Sequence, residues 1–143
     1  MSFGFSVGDF LTAAIMIRDI VSSLRNSSTT SYDELINELH GLRRALHQIE
    51  HLNGIPGQEA AINGIKVAAL MCQHPLDEFS RKLKKFEGLG INNGGKLRKT
   101  EMMRLWRRKL QWGFSMEEEA TKLRAYLAAH VGSLNMRLIA EGL

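Results

Sequence analysis

His47 and His51 stand four residues apart, a spacing that places two imidazoles on one face of a helix and is compatible with a metal ion. His40 lies seven residues before His47 on the same flank. No carboxylate is placed to complete the H-E-x-x-H arrangement of zinc hydrolases. The three histidines border a stripe formed by Leu39, Leu42 and Leu46, and are read as the polar edge of that stripe. No metal or other cofactor is expected from them.

The remaining chemical candidates are weaker. Cys72 and His74 are neighbours, but a nucleophile and its base need a spatial organisation that a two-residue spacing does not supply. Cys72 follows Leu70 and Met71 and reads as a small core residue. The run Gly90-Ile91-Asn92-Asn93-Gly94-Gly95-Lys96-Leu97 approaches the phosphate-binding G-x-x-x-x-G-K-[ST] loop. It places Leu97 where a hydroxyl must hold Mg²⁺, and a charged helix precedes it instead of a buried strand. Glu117-Glu118-Glu119 suits the first turn of a helix, where negative charge meets unpaired amides. No acid–base constellation emerges, and the chain is expected not to be an enzyme.

Charge is the more informative pattern. The 143 residues carry a net charge of only +4, yet eleven Lys and Arg fall between Arg81 and Lys109 against two acidic residues, Glu87 and Glu101. The rest of the chain has eight basic and thirteen acidic side chains. Lys84, Lys85, Arg104, Arg107, Arg108 and Lys109 are therefore candidate contacts for an anionic partner. Trp106 and Trp112 are interleaved with them, but no zinc finger or RNA-binding motif accompanies them, which disfavours nucleic acid. Cys72 is the single cysteine, so no internal disulfide can form and a reducing, cytoplasmic setting is expected.

The elements that would position these residues are all helical. Val7, Phe10, Ala14, Ile17, Val21 and Leu24 recur by three and four, predicting a first helix from Val7 to about Arg25, entered through Ser6 and Asp9. Leu11, Ile15 and Ile20 widen its apolar face beyond a single stripe. Its apolar run contains Arg18 and Asp19, too short an uninterrupted stretch to cross a bilayer. Asn26 to Thr30 reads as a loop, with Ser31 and Glu34 as a capping box for a second helix. That helix carries the clearest amphipathic signal: Tyr32, Leu35, Leu39, Leu42, Leu46 and Ile49. After Asn53-Gly54-Ile55-Pro56-Gly57, a third helix is predicted from Gln58 to Gln73, then a break at His74-Pro75 and a segment to Glu87. Gly88 to Gly95 is expected to be a loop. A helical last third follows, with Leu97, Met103, Trp106 and Leu110 on one face. It is weakened at Gly113, recapped by Ser115 and Glu118, and continues through Ala120, Leu123, Leu127, Val131, Leu134 and Leu138. The expected architecture is all-α: one domain over 1–143, an antiparallel bundle of four long helices in five to six segments, with breaks near His74-Pro75 and Gly113 and no β-sheet.

Three stretches carry a family resemblance. They are the opening Met1-Ser2-Phe3-Gly4-Phe5-Ser6-Val7-Gly8-Asp9-Phe10, the motif Lys109-Leu110-Gln111-Trp112, and a late run. That run is Lys122-Leu123-Arg124-Ala125-Tyr126-Leu127-Ala128-Ala129-His130-Val131-Gly132-Ser133-Leu134-Asn135. Together they resemble the N-terminal helical domains of filamentous-fungal proteins, a group that includes NLR-like (STAND) receptors. Such domains are similar to HeLo-like and SesA-type modules. The resemblance implies the N-terminal module of a larger protein, signalling by oligomerisation or docking of protein partners, and in some members cell death through membrane disruption led by the first helix. That role would carry onto Phe3, Phe5, Val7, Phe10, Leu11 and Ile15, with the basic stretch on an anionic membrane surface as the alternative to a purely protein partner. Along this first helix the acidic residues Asp9 and Asp19 stand almost alone, and no amyloid-type motif is present.

Overall fold

The computed structural model describes residues 7–26, 32–54, 56–91 and 99–143, the side chains of 7, 86–91 and 99–115 excepted. The described residues form five helices: α1 (Val7–Asn26), α2 (Asp33–Glu50), α3 (Glu59–Leu70), α4 (Gln73–Ile91) and α5 (Lys99–Ala140). No strand occurs among the described residues. The all-α bundle expected from apolar spacing is the observed fold.

Packing follows the periodicity. In α2 the buried set is Leu35, Ile36, Leu39, Leu42, Ala45, Leu46 and Ile49, all on one face. It meets Phe10, Ala13, Ile17, Ile20, Val21 and Leu24 of α1 in one continuous core. α1 and α2 are joined by residues 27–32 alone, so they turn back on each other as a hairpin. Arg25 Nη2 donates to His40 Nε2 across that hairpin at 3.3 Å. α5 supplies Met116, Ala120, Leu123, Leu127, Leu134 and Leu138 to the same core, and α4 supplies Leu76, Phe79 and Leu83. Around the bundle α1 packs on α2, α2 on α5, α5 on α4 and α4 on α1. No polar or charged residue is buried among the described ones.

α3 and α4 form one broken column running antiparallel to α5. Four cross-links track that register without a jump. Gln58 Nε2 donates to Glu141 O at 3.4 Å and His130 Nε2 lies 3.1 Å from Ala69 O. Tyr126 OH donates to Met71 O at 3.5 Å, and Lys82 Nζ pairs with Glu119 at 3.1 Å. Residue numbers climb in one column at the pace at which they fall in the other. The interruption at Met71-Cys72 is therefore local, and it does not redirect the chain.

Several boundaries differ from expectation, each for an identifiable reason. The break falls at 71–72, and His74 is helical although a proline follows it. Pro75 is the third residue of α4, inside the first turn, where an amide has no intrahelical acceptor to lose. Gly88 and Gly90 belong to α4, which runs to Ile91; the remainder of the expected loop, 92–95, lies outside the described residues. α5 passes through Gly113 without interruption, so Ser115 and Glu118 cap nothing. A glycine inside a helix costs about 1 kcal/mol, less than starting a new helix from its unfavourable nucleus. The α2 N-cap is Tyr32, one residue later than a Ser31 cap would set it, and Glu34 reaches across to Arg124 of α5. Ser6 and Ser31, the other expected caps, lie outside the described residues.

Candidate interaction surface

The first helix divides its apolar side chains between two sides. Phe10 was expected to face a membrane or partner, but it is 4% exposed and belongs to the core. The correction follows from its phase: Phe10, Ala13, Ile17, Ile20 and Leu24 recur by three and four, and that stripe is the one the bundle covers. Leu11 and Ile15 are four residues apart on the uncovered side, 60% and 39% exposed. Val7 begins α1 with its side chain outside the described residues, and Phe3 and Phe5 lie outside them entirely.

A second outward pair was not anticipated. Val67 and Met71, again four apart, are 46% and 66% exposed at the end of α3. The signal was present in the sequence, because both fall off the inward stripe of Ile62, Ile65 and Ala69. Gln73 Nε2 donates to Asp9 O at 3.0 Å, fastening the α3–α4 junction to the first turns of α1. That bond brings the helix end carrying Met71 to the helix end carrying Leu11.

The basic stretch is partly neutralised where its side chains are described. Lys82 pairs with Glu119, and Arg81 with Asp77 at 2.9 Å. Lys84 and Lys85 are exposed on α4. Arg104, Arg107, Arg108 and Lys109 are backbone positions of α5 whose side chains lie outside the described residues, as do those of Trp106 and Trp112.

The α3–α4 junction holds the polar groups nearest to a conventional active site, and their geometry is structural. α3 ends at Leu70, leaving carbonyls that a continuous helix would have satisfied. Two side chains of α5 reach them: His130 at Ala69 O and Tyr126 at Met71 O. The two rings stack, centroids 5.5 Å apart and 12° from parallel. Burial lowers the pKa of His130 below its usual value of 6.5, against a smaller opposing effect of its bond to Ala69 O. Cys72 lies beneath, fully buried, its thiol pushed up to about 12 by burial. A thiol held protonated is a poor nucleophile. His74 points away, largely exposed, and pairs with Glu78 at 3.2 Å. Cys72 and His74 are thus on opposite sides of the column, and Cys72 is the core residue its neighbours suggested.

The histidines of α2 occupy a different end of the bundle. His40 is half-buried against Arg25. His47 and His51 are exposed, with Glu50 half-buried beside them. Their imidazole centroids are 4.5 Å apart, and His51 Nδ1 lies 2.9 Å from His47 O. His47-Gln48-Ile49-Glu50-His51 does not follow the order H-E-x-x-H but has the reversed spacing, H-x-x-E-H, so Glu50 is the carboxylate of the group. Two shallow hollows of the described surface lie between the start of α2 and α5 and between α1 and α2.

No helix among the described residues is long and apolar enough to cross a membrane. No family model matches this chain, and no curated protein or solved structure compared with it gives a match. The likeness to fungal receptor domains therefore rests on the quoted segments alone.

Proposed function

We propose that this chain is a non-enzymatic interaction module that self-associates through the outward face of α1 and the adjoining end of α3, within a fungal signalling protein of the NLR-like kind. The observation that supports the reading is the pair Leu11 and Ile15, left in solvent by a helix whose other side is wholly buried. Val67 and Met71 add apolar surface on the element fastened to α1 by Gln73. Scattered single apolar residues need no explanation, but pairs at helical spacing make stripes that a second helix can cover. Sedimentation velocity over a concentration series tests this. The wild-type chain is expected to shift toward larger species as concentration rises, and Leu11→Glu with Ile15→Glu to hold it monomeric without unfolding it. A wild-type chain that stays monomeric throughout removes the reading.

The membrane-effector alternative draws on the exposed Lys84 and Lys85, each basic side chain near anionic lipid contributing about 1 kcal/mol. It also requires α1 to leave the bundle. That step exposes Phe10, Ile17, Ile20, Val21 and Leu24, each stabilising the fold by about 1.5–3 kcal/mol. The total is comparable with the roughly 5–15 kcal/mol that holds a whole domain folded. Releasing α1 therefore amounts to unfolding the module, which sets this reading second. Dye release from anionic vesicles is the discriminating measurement: leakage caused by the folded chain would promote it.

A further inference from the structure

We infer that His47, Glu50 and His51 form a surface site for a divalent first-row transition ion of the Zn²⁺ class at the C-terminal end of α2. One ligand atom from each residue lies within 4.8 Å of the other two. Ligands of a tetrahedral zinc ion, at bond lengths of about 2.0–2.2 Å, stand about 3.3 Å apart. Small rotations of side chains that no core packing holds in place close that gap, because His47 and His51 are both exposed.

Three features beyond proximity point to a cation. First, His51 Nδ1 is bonded to His47 O at 2.9 Å, and a carbonyl oxygen only accepts. The proton of the neutral ring is therefore on Nδ1, and the lone pair of Nε2 is left for a metal. Metal-binding histidines are oriented in this way, by donating the other ring nitrogen's proton to a backbone carbonyl or carboxylate. Second, the three residues close the last turn of α2, with His51 as the C-cap. The aligned peptide dipoles give the C-terminal end of a helix a partial negative charge that favours a positive ion. Third, two imidazoles and one carboxylate suit zinc and its neighbours and not Mg²⁺, which prefers an all-oxygen shell. Water fills the remaining position. Arg43 and Arg44, one turn earlier and exposed, oppose the ion and keep its affinity below that of an enclosed structural site.

Calorimetric titration of the full chain with ZnCl₂ in a non-chelating buffer tests the assignment, with circular dichroism confirming that each variant stays folded. The expected result is one saturable site per chain. Losing one of the three protein ligands, in His47→Ala, His51→Ala or Glu50→Gln, is expected to weaken it by about tenfold or more. His74→Ala removes an exposed histidine that also has a carboxylate at i+4, and is expected to bind like wild type. In ¹⁵N spectra of the rings, zinc should move the nitrogens of His47 and His51 and leave those of His130 in place, and MgCl₂ should move none. No saturable binding, or binding undiminished in the His47 and His51 variants, would overturn the inference. Undiminished binding in Glu50→Gln would overturn the three-ligand assignment.

Discussion

α1 and α2 lie side by side in one hairpin and handle their apolar residues in opposite ways. Every large apolar side chain of α2 is absorbed by the core, and its outward face is left to Asp33, Glu34, Asn37, Arg43, Arg44, His47 and Gln48. α1 buries an equally complete stripe and still has Leu11 and Ile15 outside it. A helix needs only one apolar stripe to join a bundle. The α2 pattern is therefore accounted for by folding alone, whereas α1 carries apolar surface that folding does not use. This difference separates residues that hold the module together from residues available to a partner.

The sharpest way to break the comparison is to truncate one residue from each class. Leu42 of α2 is fully buried, and Leu42→Ala is expected to lower stability by about 2–5 kcal/mol through lost burial and the cavity left behind. Leu11→Ala removes the same atoms from solvent and is expected to change stability by no more than about 0.5 kcal/mol. Urea midpoints of the two variants, measured at a concentration where the chain is monomeric, check both figures. Equal losses would mean that Leu11 is packed in solution and that α1 has no spare face.

Much of this division could be read from spacing. The α2 stripe from Leu35 to Ile49 and the α5 run from Ala120 to Leu138 were legible because three-four periodicity and burial coincide there. In α1 the stripe through Phe10, Ile17, Val21 and Leu24 was legible in the same way, and the core covers it. Phe10 was set on an outward face by the family resemblance alone, which takes the start of the helix as a block and does not separate Phe10 from Leu11 and Ile15. The α3–α4 junction was legible as a break from Pro75, but its stabilisation was not. The bonds from Tyr126 and His130 to Met71 O and Ala69 O join residues more than fifty positions apart, and no local pattern announces them. Gly113 misled in the other direction, since a single glycine weighs less than the cooperativity of a 42-residue helix.

The junction also gives the module a pH-dependent part. Burial lowers the pKa of His130, and the groups facing it are the stacked Tyr126 ring and Ala69 O. Unfolded, it titrates near 6.5. Between that value and the lower folded one the unfolded chain holds more protons, so stability falls as pH drops through about 6.5 and levels off below the folded pKa. His130→Gln keeps a donor for Ala69 O without the charge. Its urea midpoint is expected to fall less than that of the wild type between pH 8 and pH 5.5. Identical slopes would mean that the His130 ring is solvated in the folded chain.

The smallest expected effect sharpens the contrast between surfaces that only fold and surfaces that dock. Gly64 lies in α3 on an open face, where an added Cβ meets nothing within 4 Å. Its backbone is helical, so Gly64→Ala costs no strain and removes freedom from the unfolded chain, which is expected to raise stability by about 0.5–1 kcal/mol. Gly57, in the turn before α3, also has open space around it but sits at φ 101°, where a side chain is strained. Gly57→Ala is expected to lower stability by about 1–2 kcal/mol. Gly57→Ala leaves Leu11, Ile15, Val67 and Met71 untouched, so sedimentation should show the same association for it as for the wild type, whereas Gly64→Ala adds a methyl to the stripe of Val67 and Met71 and is read for stability alone. An association that fell with the stability of Gly57→Ala would mean that self-assembly depends on more than the outward faces of α1 and α3.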